Sequence, residues 1–358
     1  MYEIISFFDD KKYIDDFIKF PRKIYPRGKC PTSRKQEREL LEGKHLLSKY
    51  FQVVGYLVYV DGRVVARCLL TLYQELEAGY LGFFEAIEDY RAVEALFAKV
   101  EEDCVRNKRT RLVGPVNASF WIGYRFKLDN FNEVFTNEPY NLSYYPRLFL
   151  ENGFNICNKY QTNKIKVIPK EFINDKYIKI KEKMLKAGYV IESPRASEFY
   201  DAMKTIYGML IVLYKDFPIF HKITEDEFLH LYENLRYIVR YDMIRIVYRE
   251  GEPKGFHICL PNYGFHALGD VGVKDLPFIL KTKRKPKEYV HLYLGALDTG
   301  AGVMLIQDIA EKLQEQEVMS IGALIQEGKV SNKYYSEFYY EQLNYGLYEK
   351  IVGVRNKE

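Results

Sequence analysis

The chain spells out the same series of elements twice, and no other feature restricts its fold as much. In the first half, residues 51–60 (FQVVGYLVYV) and 63–74 (RVVARCLLTLYQ) read as strands joined by Asp61-Gly62, a pair that tolerates the positive φ of a tight hairpin. A third strand at 79–86 (GYLGFFEA), an amphipathic helix over 91–108 and a strand over 110–117 follow. The second half keeps this order. Strands at 243–250 and 255–263 flank the turn Gly251-Glu252-Pro253-Lys254, and then come a strand at 288–296, a helix at 303–316 and a strand at 318–326. Gly62 and Gly251 set the copies about 190 residues apart. Helical sequence precedes each copy, at 35–50 in the first. In the second it covers 196–217 and then 228–239, after the capping-box-like Thr224-Glu225-Asp226-Glu227. Two similar α+β domains are expected, 1–168 and 169–358, divided in the charged, proline-containing stretch 164–175.

Composition narrows the class. At 358 residues the chain can bury two cores, and 47% hydrophobic with 28% charged residues is the balance of a globular protein. A net charge of +4 is too small to imply nucleic acid by itself. The five cysteines are scattered, odd in number and never paired as C-x-x-C, so a reduced, cytoplasmic protein is expected, with no disulfide framework and no metal site. No apolar run approaches the ~20 residues of a membrane span.

Two segments stand outside the repeat. Residues 117–140 (NASFWIGYRFKLDNFNEVFTNEPY) form a long connection whose Trp121, Tyr124, Phe126 and Phe131 argue for order, in a substrate-side or interdomain loop. Residues 280–289 (LKTKRKPKEY) carry five basic side chains and read as a solvated loop that could attract an anion.

Chemistry concentrates at 289–303 (YVHLYLGALDTGAGV), where a strand enters Gly300-Ala301-Gly302 and then a helix. Strand, glycine turn and helix in that order aim free backbone N–H groups and a helix dipole at one spot, which suits a pyrophosphate. His291 and Tyr293, two apart on the strand, are expected on one face, and a histidine there has the intrinsic pKa of a base near neutrality. Glu85, on the matching strand of the first copy, is a second candidate for the base. Tyr339 lies in EFYYEQL, which reads as an amphipathic helix.

With these elements in order, the second copy resembles the GNAT acyltransferase fold, whose pyrophosphate turn opens a helix. Asn332, followed seven residues on by Tyr339 and then by Asn344-Tyr345-Gly346 and the strand YEKIVGV, matches that family's closing pattern. The first copy resembles the same fold, but its third strand runs into AIEDYRAV without a glycine turn, and Phe149 stands where the family has a tyrosine. The chain is thus similar to tandem GNAT proteins with a degenerate first domain, and each domain is expected to hold a mixed, mainly antiparallel sheet flanked by helices. In the second copy Leu297 replaces the family's Gln or Arg, and Asp298 puts a carboxylate beside the turn.

The resemblance implies an N-acyltransferase that uses acetyl-CoA or another acyl-CoA and acts on the amine of a small molecule or peptide. It implies that Ala296, Leu297, Gly300, Ala301, Gly302, Val303 and Asn332 bind the cofactor. Tyr339 would protonate the departing thiolate, and His291 is the candidate base. Two other readings stay open. One is a Fem-type transferase using aminoacyl-tRNA, with Lys281 to Lys287 as its basic surface, and the other is a binding protein that keeps the fold without catalysis.

Overall fold

The computed structural model describes residues 1–353. Its strands are β1 (Glu3–Phe7), β2 (Phe51–Val60), β3 (Arg63–Tyr73), β4 (Ala78–Ala86), β5 (Arg111–Gly114), β6 (Phe126–Lys127), β7 (Asn155–Ile165), β8 (Tyr189–Glu192), β9 (Ile244–Arg249), β10 (Glu252–Pro261), β11 (Glu288–Ala296), β12 (Met319–Gln326) and β13 (Tyr339–Ile351). Its helices are α1 (Lys11–Lys19), α2 (Pro21–Ile24), α3 (Arg34–Leu41), α4 (Tyr90–Arg106), α5 (Tyr145–Glu151), α6 (Asp175–Lys186), α7 (Phe199–Leu213), α8 (Glu225–Leu231), α9 (Leu235–Ile238), α10 (Leu276–Arg284) and α11 (Ala301–Gln316). The repeat is therefore real: β2-β3-β4-α4-β5 recurs as β9-β10-β11-α11-β12. Both hairpins turn on two residues of positive φ, Asp61-Gly62 at 50° and 73° and Glu250-Gly251 at 54° and 80°. That geometry matches the right-handed twist of the strands it joins.

The two halves share one mixed sheet in the order β1-β2-β3-β4-β5-β13-β7-β12-β11-β10-β9-β8, with β6 paired to β13. β7, from the end of the first half, lies against β12 of the second. The last strand, β13, returns to the first half and sits between β5 and β7. The expected helix at EFYYEQL is thus corrected: one strand runs from Tyr339 to Ile351, and Asn344-Tyr345-Gly346 lies within it. Pairing with β7 along Tyr339 to Glu349, joined by β6 and β5 on the other edge from Tyr345 onward, gives its backbone groups partners and outweighs the helical spacing of its side chains. The basic run also differs from expectation. Its first residues close helix α10, and Lys283 Nζ donates to the Tyr237 carbonyl at 2.8 Å.

α11 shows why its segment is a helix. Ala301, Met304, Leu305, Ile309 and Leu313 recur every three or four residues and are buried against β9, β10 and β11. Each such side chain contributes roughly 1.5–3 kcal/mol when fully buried. On the opposite face of the sheet one large core runs through both halves, from Phe17 and Leu57 to Phe228 and Val290. The 117–140 segment crosses this face. Phe120 and Trp121 pack on Phe217, Phe220, Phe228 and Tyr232 of the second half, and Trp121 Nε1 donates to the His221 carbonyl at 2.7 Å.

Candidate active site

β11 and β12 run parallel and are paired only from Glu288–Met319 to His291–Gly322. Beyond Gly322 the register of β12 shifts, Leu324 takes a φ of 55°, and the strand turns toward β7, where its Leu324 N–H donates to Thr162 Oγ1. An opening is left between the two strands. On its other edge, the Leu297 N–H donates to the Lys254 carbonyl of β10 at 2.8 Å. Successive N–H groups of a strand point to opposite edges, so the Ala296 N–H faces the opening.

The turn at the end of β11 lies beside this opening. Gly300 has a φ of 96°, which only glycine adopts freely, and caps α11. Ala301 N–H is spent on the Asp298 carbonyl, and Leu297 N–H on β10, whereas the N–H groups of Gly300, Gly302 and Val303 have no acceptor among the described residues. Three free donors at a helix N-terminus form an anion cradle. The carboxylate that would oppose an anion is turned away, because Asp298 Oδ2 accepts the Tyr189 hydroxyl at 2.7 Å.

Asn332 braces the loop after β12. Its Nδ2 donates to the Gln326 carbonyl at 3.0 Å, while its Oδ1 is buried without a partner. Tyr339 opens β13, and its hydroxyl donates to the carbonyls of Asn332 and Tyr334 at 3.1 and 3.0 Å. Burial pushes that hydroxyl up to about 12, so it stays protonated at neutral pH. Tyr334 lies closer to the turn, with its hydroxyl 3.7 Å from where a Cβ on Gly302 would stand.

His291 and Tyr293 do not share a face. The ladder with β10 slips one residue, pairing Cys259 with His291 but Ile258 with Tyr293, so Leu292 is bulged and the alternation inverts. Tyr293 turns toward the common core, where its hydroxyl pairs with that of Tyr232 at 2.7 Å. His291 turns under α11 to His257 and Cys259. Its Nδ1 lies 2.9 Å from His257 Nε2 and 3.4 Å from Cys259 Sγ. Burial pushes the His291 ring down to about 4 and lowers His257 as well, so both are neutral at pH 7. A ring that weakly basic is a poor acceptor for an ammonium proton, which counts against His291 as the base. The histidines do not cluster in sequence, yet the fold brings these three donors within 4.8 Å of one another, the spacing of a three-ligand metal site.

The opening leads into a cavity of about 960 Å³ that runs beneath Trp121 and Tyr124 to Glu85 in the first half. Glu85 is the carboxylate that burial raises to about 7, and Tyr145 donates to it at 2.7 Å. The first-half counterpart of the opening is closed. β4 and β5 pair from Ala78–Arg111 to Tyr80–Val113, after which Val116 N–H donates to the Leu81 carbonyl and Phe83 N–H to Asn117 Oδ1. A Cβ on Gly82 would lie 1.9 Å from the Val116 carbonyl oxygen, so the chain itself fills the gap.

One solved structure, a tandem GNAT protein from the clavulanic acid biosynthesis pathway, superposes over 99% of this chain and 100% of its own, at a TM-score of 0.53 and 10% identity. The fold is that of a tandem GNAT protein. A probable N-acyltransferase from Enterococcus faecalis V583 matches over 98% of this chain and 73% of its own (TM-score 0.52, 10% identity). The GCN5-related glucosamine N-acetyltransferase region of a fungal multi-domain GH3 β-N-acetylglucosaminidase matches over 98% of this chain and 38% of its own (TM-score 0.53, 15% identity). No protein-family model and no curated protein matches the sequence. Sequence reading named Tyr124 and Tyr293 but not Arg125, Tyr214 or Tyr232, which the fold brings to the same cavity from the long loop and from the ends of α7 and α8.

Proposed function

We propose that this chain transfers an acyl group from an acyl-CoA to an amine held in the cavity between the halves. The observation that carries the reading is the parting of β11 from β12 beside a glycine turn with three free N–H donors. The turn would hold the pyrophosphate through the N–H groups of Gly300, Gly302 and Val303, and the cofactor arm would pass through the opening toward Asn332. The Ala296 N–H would bind the thioester carbonyl and stabilise the oxyanion that forms when the amine attacks. Collapse of that intermediate forms the C–N bond and breaks the C–S bond. The departing thiolate would gain a proton from a tyrosine hydroxyl, with Tyr339 the first candidate and Tyr334 the second, and the proton lost by the amine would pass to water in the cavity, which returns one to the tyrosinate.

Gly302 is the position for a test. It has ordinary φ, and a Cβ there meets Ala296 and Tyr334 at 3.6 and 3.7 Å, normal packing distances. Gly302→Glu therefore adds a carboxylate at the cradle without straining the backbone, whereas any side chain at Gly300 is strained. Calorimetric titration of CoA, acetyl-CoA and a longer acyl-CoA should give binding to the wild type that Gly302→Ala retains and Gly302→Glu loses. No binding of any of the three to folded wild type would end the acyl-CoA reading. Salt-dependent binding of aminoacyl-tRNA would then favour a Fem-type transferase, and its absence a binding protein.

A further inference from the structure

Among the described residues, the buried Lys and Arg side chains divide sharply. Arg67 pairs with Glu37, Lys127 with Glu138, Lys164 with Glu133 and Glu341, and Arg245 with Asp308. Arg125 is 9% exposed and has no carboxylate within ion-pair distance. Its guanidinium lies between the rings of Tyr124 and Tyr160, 4.0 and 4.1 Å from their centroids. Its Nη1 donates to the Leu324 carbonyl at 3.2 Å, and its Nε has no partner. The backbone at Arg125 is left-handed, with a φ of 73°, a conformation rare for a side chain of this size. Burying a cation without a counter-charge is costly, and strained backbone persists where the surroundings demand it.

The place is informative. Leu324 is the residue at which β12 turns away from β11, so the guanidinium sits at the rim of the opening where the thioester would lie. Arg125 lines the cavity together with Tyr214, Tyr232 and Tyr293, which face it from the second half. The first half thus delivers a fixed, aromatic-clamped cation to the second half's reaction centre.

We infer that Arg125 binds the carboxylate of the acceptor, and that the acceptor is an amine carrying a carboxylate on an apolar, aromatic-compatible body, such as an amino acid or a peptide C-terminus. This rests on the acyl-transfer reading. A planar guanidinium meets a carboxylate with two parallel N–H bonds, which fixes orientation as well as affinity. The aromatic walls take the body, and the amine is left facing the opening.

Trp121 is the only tryptophan in the chain and lines the same cavity, so its emission reports occupancy without turnover. Two isosteric probes without an amine, 3-phenylpropionate and 3-phenylpropionamide, should be titrated into wild type, Arg125→Gln and Arg125→Lys. Wild type should prefer the carboxylate by roughly 10- to 100-fold, the range for a hydrogen-bonded charge. Arg125→Gln should lose that preference, and Arg125→Lys should keep part of it. Acyl-CoA titration of the same variants separates the two readings, because the cradle is untouched and affinity for acetyl-CoA should not change. Equal binding of both probes to wild type, or an undiminished preference in folded Arg125→Gln, overturns the assignment whether or not acyl-CoA binds. A preference for succinyl-CoA over acetyl-CoA that Arg125→Gln abolishes overturns it too, since the carboxylate would then belong to the donor.

Discussion

Replacing Glu85 by Gln should flatten part of the pH dependence of stability. Glu85 is 4% exposed, and burial raises its carboxyl from 4.5 to about 7, offset in part by Arg67 and by the hydroxyl of Tyr145. A raised carboxyl pKa means that the folded state holds the proton more tightly than the unfolded chain. Between pH 4.5 and 7 the unfolded chain has released that proton and the folded one has kept it, so stability falls as pH rises. At 1.36 kcal/mol per pH unit, the full loss above pH 7 is about 3 kcal/mol. His257 and His291 act in the opposite direction. Both are lowered by burial, so their contribution is present above about pH 6.5 and is lost as pH falls. The wild-type curve therefore mixes the two, and the difference between wild type and Glu85→Gln isolates the carboxyl. Urea midpoints converted to free energies from pH 4.5 to 8 should show Glu85→Gln gaining on wild type by about 3 kcal/mol across that range. Parallel curves would refute the reasoning, and so would a gap that opens above pH 8.

Further outcomes follow from named contacts. Trp121→Ala removes a ring packed on Phe220, Phe228 and Tyr232 and should destabilise the fold by about 3–5 kcal/mol, read by urea unfolding. In the acyl-transfer reading it should also raise acceptor KM while leaving acyl-CoA affinity unchanged. Tyr189→Phe frees the Asp298 carboxylate beside the cradle and should weaken CoA binding by a few-fold to tenfold in calorimetry, with little loss of stability. Truncation before Tyr339 strips β5 and β7 of the strand between them and should abolish cooperative unfolding, even though most of the second-half elements remain.

Much of the fold was legible because the repeat is written in local signals. Asp61-Gly62 dictates its hairpin through the φ each residue tolerates, and Val303 to Gln316 carries its own apolar stripe. The glycine turn was legible for the same reason, since Gly300 is needed wherever the chain passes through positive φ into a helix. Asp298 could be named as a threat to an anion from sequence, but only the fold supplied Tyr189, more than a hundred residues away, to turn it aside. β7 and β13 were not legible as partners. NICNKYQTNKI is too polar to announce a central strand, and EFYYEQL has helical spacing; each becomes a strand because the other satisfies its backbone. The faces of His291 and Tyr293 were misjudged because one bulged residue, Leu292, inverts every side chain beyond it.

The sequence by itself determined the two copies, their order of elements and the glycine turn, because each depends on residues close in the chain and on backbone preferences that act locally. Tertiary structure alone decided that the copies share one sheet and that the first opening is filled by Val116 and Asn117 while the second stays open. It also decided that Arg125 of the first half stands at the rim of the second. Those facts depend on pairing between strands far apart in sequence, where the competition to bury apolar surface and satisfy backbone groups is settled by the whole chain.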